Sequence, residues 1–237
     1  DIVEGGQQGF PANAVLGGLL TRCARLVLAN VHLTHQDQFG EAAAILDRCL
    51  AESCTNVRWI CQENTPERLA MFLADGMKKD LMLRGLIQKY VEKNDGEVKL
   101  IEDRMLRSVQ ATLDASRMTE GEVRATERLP SYEQRTKDLG LIPDFYMAFQ
   151  RMGSGAVHGN WQNLLCFYLR DDGDGGFSIR DHPCSPRPDQ YAVLALYLLE
   201  TLGIAAAHSF SDSTLVDDAI SVYRSIHEQI FLVYNEL

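Results

Sequence analysis

The 237-residue chain is 46% hydrophobic, enough for a real core, and sets 33 acidic against 23 basic side chains for a net charge of −10. That balance excludes the broad basic surface on which non-specific nucleic-acid binding depends, so RNA or a nucleotide would have to be met in a local pocket.

In chain order, Val15, Leu16, Leu19, Leu20, Cys23, Leu26, Val27 and Val31 recur at helical spacing and predict an amphipathic helix over 13–38. A second helix is expected over 41–62 with Ala44, Ile45, Cys49, Thr55 or Asn56, and Trp59 or Ile60 turned inward. Thr65 and Pro66 form a cap followed by a first-turn proline, which starts a third helix reaching Lys93. The segment 97–118 is more charged, with a narrow stripe of Leu100, Ile101, Met105, Val109 and Leu113. A polar connector broken by Gly121, Pro130, Gly140 and Pro143 holds one short helix over 131–139. Another helix begins after Pro143, "DDGDGGF" forms a loop, and a short extended piece follows. Helices over 189–208 and 213–234 close the chain. No alternation is long enough for a sheet and no fixed-period repeat is present, so the fold class is all-α: one domain over 1–237, a bundle of about seven or eight helices.

The apolar run from Tyr191 to His208 approaches the length of a membrane span but contains Glu200, and a central carboxylate is costly in lipid; a helix inside the protein and no membrane partner are expected. The six cysteines include no C-x-x-C pair and fall mostly on apolar positions, reading as reduced core thiols of a cytoplasmic protein. The chain opens on Asp1 rather than methionine, which leaves room for a segment upstream; the residues given carry no targeting pattern.

The chemistry concentrates in "RMGSGAVHGNW", 151–161. Arg151 and His158 are seven positions apart and return to nearly one helical face, with Ser154 between them. A guanidinium holds phosphate and an imidazole moves protons near neutral pH, a pairing suited to metal-free cleavage of a phosphodiester by its own ribose 2′-hydroxyl. Gly153, Gly155 and Gly159 remove bulk, so that a second subunit, another backbone or a ligand could approach closely. Upstream, Arg48, Glu52 and Asn56 step by four along one face and either pair with Arg151 and His158 or form a network of their own. In the former case Glu52 would hold His158 in one tautomer or raise its pKa.

Other candidates read as structure. His32 and His35 lack a third ligand and belong on the surface, the "DDGDGG" carboxylates lack the bidentate glutamate of a calcium loop, and His182 and Cys184 are details of a proline-rich loop. Neither a metal nor a cofactor is expected.

The R-x6-H spacing of Arg151 and His158, late in an all-helical chain, resembles the signature of the HEPN superfamily, many of whose members are metal-independent ribonucleases or toxins of bacterial defence. More closely, "FYMAFQRMGSGAVHGNW" resembles a poorly characterised HEPN-like bacterial family with a serine-x-x-valine-histidine-glycine signature and an upstream basic residue, glutamate and asparagine, matched here by Arg48, Glu52 and Asn56. The resemblance implies a HEPN-like core over about 41–208, with the 13–38 and 213–234 helices packed on it. Arg151 would orient the scissile phosphate, with His158 as general acid or base and Ser154 beside it. Arg48, Glu52, Asn56 and Asn160 would bind substrate or support the site, and the protein would act as a homodimer. The alternative is a non-catalytic helical module that uses the same glycine-lined surface for protein contact or small-ligand and nucleotide binding.

Overall fold

The computed structural model describes residues 10–35, 38–63, 65–141, 143–147, 149, 153–182, 184–186, 188–209 and 214–236. The fold is all-α. Its six long helices are α1 (Phe10–Thr34), α2 (Gly40–Gln62), α3 (Thr65–Lys93), α4 (Leu100–Ser116), α10 (Pro188–Ser209) and α11 (Thr214–Glu236). Between α4 and α10 lie five short ones: α5 (Glu120–Ala125), α6 (Tyr132–Asp138), α7 (Pro143–Tyr146), α8 (Gly153–His158) and α9 (Trp161–Phe167). The expected extended piece is strand β2 (Phe177–Ile179), paired antiparallel with β1 (Leu169–Asp171). The "DDGDGG" loop is the turn between them, its carboxylates tied into it: Gly173 N–H donates to Asp171 at 2.9 Å and Ser178 Oγ to Asp172 at 2.8 Å. The helical segments outnumber the seven or eight expected because the connector and motif regions break into short helices, three of which, α5, α6 and α9, open on the capping side chains Thr119, Ser131 and Asn160.

Among the described residues the chain divides into two compact units, one formed by 10–12 and 63–130, the other by 13–62 and 131–236. In the first, Ala74, Met77 and Leu81 of α3 pack with Val109 and Leu113 of α4 and Val123 of α5. The α4 stripe is buried only in this C-terminal half; Leu100 and Ile101, expected inward, are exposed because the core they would join ends at Val109. Thr119 and Glu122 form a reciprocal capping box that starts α5, and Arg84 and Arg124 both pair with Glu120.

In the second unit, α2 lies at the centre. Its stripe of Ala43, Asp47, Leu50, Cys54 and Val57 is buried, while Ile45, expected inward, is exposed on the far side of the helix. Cys23 of α1, Phe149 and Leu194 and Tyr197 of α10 complete this core. Cys23 and Cys54 bring their sulfurs within 3.8 Å, while Cys166 is exposed, so the expectation of core thiols holds for the first two and fails for the last. Asp47 is fully buried and accepts a hydrogen bond from Asn30 Nδ2 of α1. Helix α10 is anchored to α2 by Arg58, which pairs with Glu200 at 2.9 Å and covers the Tyr197 ring at 4.7 Å; His227 of α11 lies 3.6 Å from the same carboxylate. By length and composition the segments Ala12–Thr34 and Tyr191–Ser209 could each cross a membrane. In the latter, Leu194, Tyr197, Thr201 and Ala205 form a buried stripe, the pattern of a helix packed within a protein.

Candidate functional site

Helix α8 is a turn and a half of glycine-rich chain, so its two faces carry different atoms. Ser154 and His158, one turn apart, share a face; the serine is half-buried and the imidazole exposed, with no hydrogen bond to it among the described residues. Val157 of α8 is exposed, as are Trp161 and Leu164 of the following helix α9. Arg151 and the residue after it lie outside the described residues, so the convergence expected of Arg151, Ser154 and His158 is described only for the last two.

Of the close approaches the glycines allow, neighbouring parts of the same chain occupy two, at Gly153 and Gly155. A Cβ on Gly153 would lie 2.9 Å from Cβ of Arg48, because α8 crosses α2 at that point. On Gly155 it would meet the Asn160 amide at 3.0 Å. Gly159 has nothing nearby and adopts φ +59°, the left-handed turn that ends α8. Asn160 then caps α9, its Oδ1 accepting from Asn163 N–H at 2.9 Å. Its described role is therefore to cap a helix and fill the space at Gly155.

The upstream row divides. Arg48 packs under α8. Glu52 and Asn56 turn instead to Arg135 of α6, whose guanidinium donates to Asn56 Oδ1 and lies 3.8 Å from the Glu52 carboxylate. Arg135 is 4% exposed and also lies over the Tyr132 ring. The pairing of Glu52 with His158 is thus replaced by an ion pair with a residue 83 positions along the chain, Arg135. Sequence reasoning missed Arg135 because α6 was read only as a short helix in a polar connector. Next to this network, Thr55 Oγ1 lies 2.8 Å from the Ala51 carbonyl, 3.3 Å from the Tyr132 hydroxyl and 2.9 Å from that of Tyr197. Burial pushes the Tyr132 phenol up to about 12, against the opposing Thr55 bond, and raises Tyr197 as well.

Behind α8, on the face away from His158, is a cavity of about 370 Å³. Gly153, Gly155 and Ala156 form one wall, Phe149 and Phe167 supply aromatic surface, and Arg48 and Arg180 bring two guanidiniums. Cys184, expected to be a mere loop detail, closes this cavity: its carbonyl accepts from Gly40 N–H at 2.9 Å at the start of α2, and its thiol faces the carbonyls of Cys166 and Phe167. His182 is exposed. His32 and His35 stack at 6.1 Å on the surface of α1, and no group of three or more metal-ligating side chains occurs among the described residues.

A family described as being of unknown function, DUF5677, matches residues 13–177, from the first helix through the motif to the hairpin. The chain belongs to DUF5677. No curated protein and no solved structure matches it. The matched segment of this DUF5677 chain contains Arg48, Glu52, Asn56, Arg135, α8 and α9, and stops before Arg180 and Cys184.

Proposed function

We propose that this chain is a HEPN-like, metal-independent ribonuclease or toxin of bacterial defence or stress response, acting in the cytoplasm as a homodimer. The observation that carries the reading is the His158 imidazole, exposed on the motif helix and bonded to nothing among the described residues, with Ser154 one turn away on the same face. The R-x6-H spacing adds Arg151 as the cation that would orient the phosphate.

In such a cleavage the ribose 2′-oxygen attacks phosphorus and the 5′-oxygen leaves, yielding a 2′,3′-cyclic phosphate and a free 5′-hydroxyl. One group must take the 2′-proton and another must protonate the leaving oxygen. A single imidazole cannot do both at once, so a second copy's His158 would supply the missing role. The exposed apolar residues Val157, Trp161 and Leu164, close to His158 in the chain, are the surface a second copy would use.

The test is cleavage of a labelled single-stranded RNA in the presence of a chelator. His158→Ala and Arg151→Ala are each expected to lower the rate by about 100-fold or more with helical content unchanged. Retention of activity in both variants, or its absence from the unaltered protein, overturns the reading. The alternative, a non-catalytic interaction module, draws on one observation: Glu52 and Asn56 are engaged by Arg135 rather than held toward His158.

A further inference from the structure

We infer that the cavity behind α8 is a binding site for a small organic anion, an oxyanion head on a flat apolar body. It lies on the opposite face of α8 from Ser154 and His158, so it does not depend on the ribonuclease reading.

Its size, about 370 Å³, falls within the range of roughly 300–1,000 Å³ typical of small-molecule pockets. The decisive side chain is Asn163. The residue is 7% exposed and lines the cavity; its backbone N–H is satisfied by Asn160, but its side-chain amide makes no hydrogen bond among the described residues. As part of the cavity lining, this primary amide offers two donors and an acceptor to an occupant.

Arg180 defines the charge. Its Nε donates to the Leu169 carbonyl at 2.8 Å, Nη1 to Cys184 Sγ at 3.4 Å and Nη2 to the Leu165 carbonyl at 3.5 Å. Those bonds use three of five N–H groups and leave one on each Nη, a fork held in place before any ligand arrives. Such a fork matches the paired oxygens of a carboxylate or a phosphomonoester. Arg48 adds a second positive charge on the wall formed by α2. Asp47 also lines the cavity, but its carboxylate accepts from Asn30 Nδ2 within the core. Phe149 and Phe167 supply aromatic surface against which a flat apolar body can pack.

Carboxylate and phosphate heads share this chemistry, so the experiment uses benzoate and phenyl phosphate, with benzamide as the neutral counterpart. Binding is followed by calorimetry and by protection of Cys166, an exposed thiol that lines the cavity, from N-ethylmaleimide. At least one anion is expected to bind at roughly millimolar affinity or better and to protect the thiol, and the tighter of the two identifies the head group. Arg180→Gln at the exposed mouth and Asn163→Leu in the interior should each weaken it by about tenfold or more, with circular dichroism verifying the fold. His158→Ala should leave binding unchanged while abolishing any RNA cleavage, which separates this site from the other. Benzamide binding as tightly as the anions, no binding of either anion at about ten times the millimolar range, or indifference to both variants overturns the inference.

Discussion

At the scale of single residues, the centre of the larger unit is a polar cluster inside an apolar stripe. Thr55 joins Tyr132 and Tyr197, and both phenols are held neutral by burial. In the unfolded chain a phenol ionises near 10; in the fold Tyr132 resists to about 12. The stability this contributes is complete below pH 10 and is lost as pH rises through the folded value, up to about 3 kcal/mol for that one group. Alkaline titration is expected to show loss of helicity coinciding with phenolate absorbance, and Tyr132→Phe should move the loss of helicity to higher pH. An unchanged midpoint would contradict this account. The cluster was half legible: Thr55 was among the inward candidates from its spacing. Asp47 stands in the sequence as a charge within the stripe of Ala43, Leu50 and Cys54, and apolar periodicity alone does not mark it as buried. Arg135 gave no such sign, since an arginine in a polar connector looks like every other.

At the scale of elements, the same residue type serves opposite ends. Gly153 sits where α8 crosses α2, and an added methyl would press on Arg48 at 2.9 Å. Gly76 in α3 has nothing within 4 Å of its would-be Cβ. Alanine at position 76 removes unfolded-state freedom and should stabilise the protein by about 0.5–1 kcal/mol. At position 153 the same propensity gain is outweighed by overpacking of about 1–3 kcal/mol, so Gly153→Ala should be net destabilising. Urea unfolding of the two variants checks the opposite signs; stabilisation by both would show that the α2–α8 crossing yields to a methyl. Helix positions and most ends were readable because capping and periodicity are local: Ser131, read as opening a helix over 131–139, accepts from Gln134 N–H at 3.2 Å in α6. The crossing itself was not readable, because the motif's glycines looked the same whether they faced a ligand, a subunit or another helix.

At the scale of the whole molecule, the net charge of −10 confines any recognition of anions to local sites. Two such places emerge, the His158 face and the Arg48–Arg180 cavity, back to back across one short helix. The proposed ribonuclease needs a second copy, whereas the cavity is complete within one chain. Light scattering should therefore show a dimer, and Leu164→Glu, which places a charge among the exposed apolar residues close to His158 in the chain, should yield monomers that cleave RNA at least about tenfold more slowly. A monomeric unaltered protein would remove the two-histidine scheme and leave the cavity unaffected.

The all-α class, the order of the long helices and the common face of Ser154 and His158 on a glycine-rich turn were legible in the chain alone. Each of these follows from spacing within a few residues. Packing between distant segments settled that Arg135 claims Asn56 from 79 positions away, that Arg48 occupies the space left by Gly153, and that Asn163 and Arg180 line one cavity. Those contacts join segments far apart in the chain, and their pairing is set by how whole helices pack, which no local periodicity encodes.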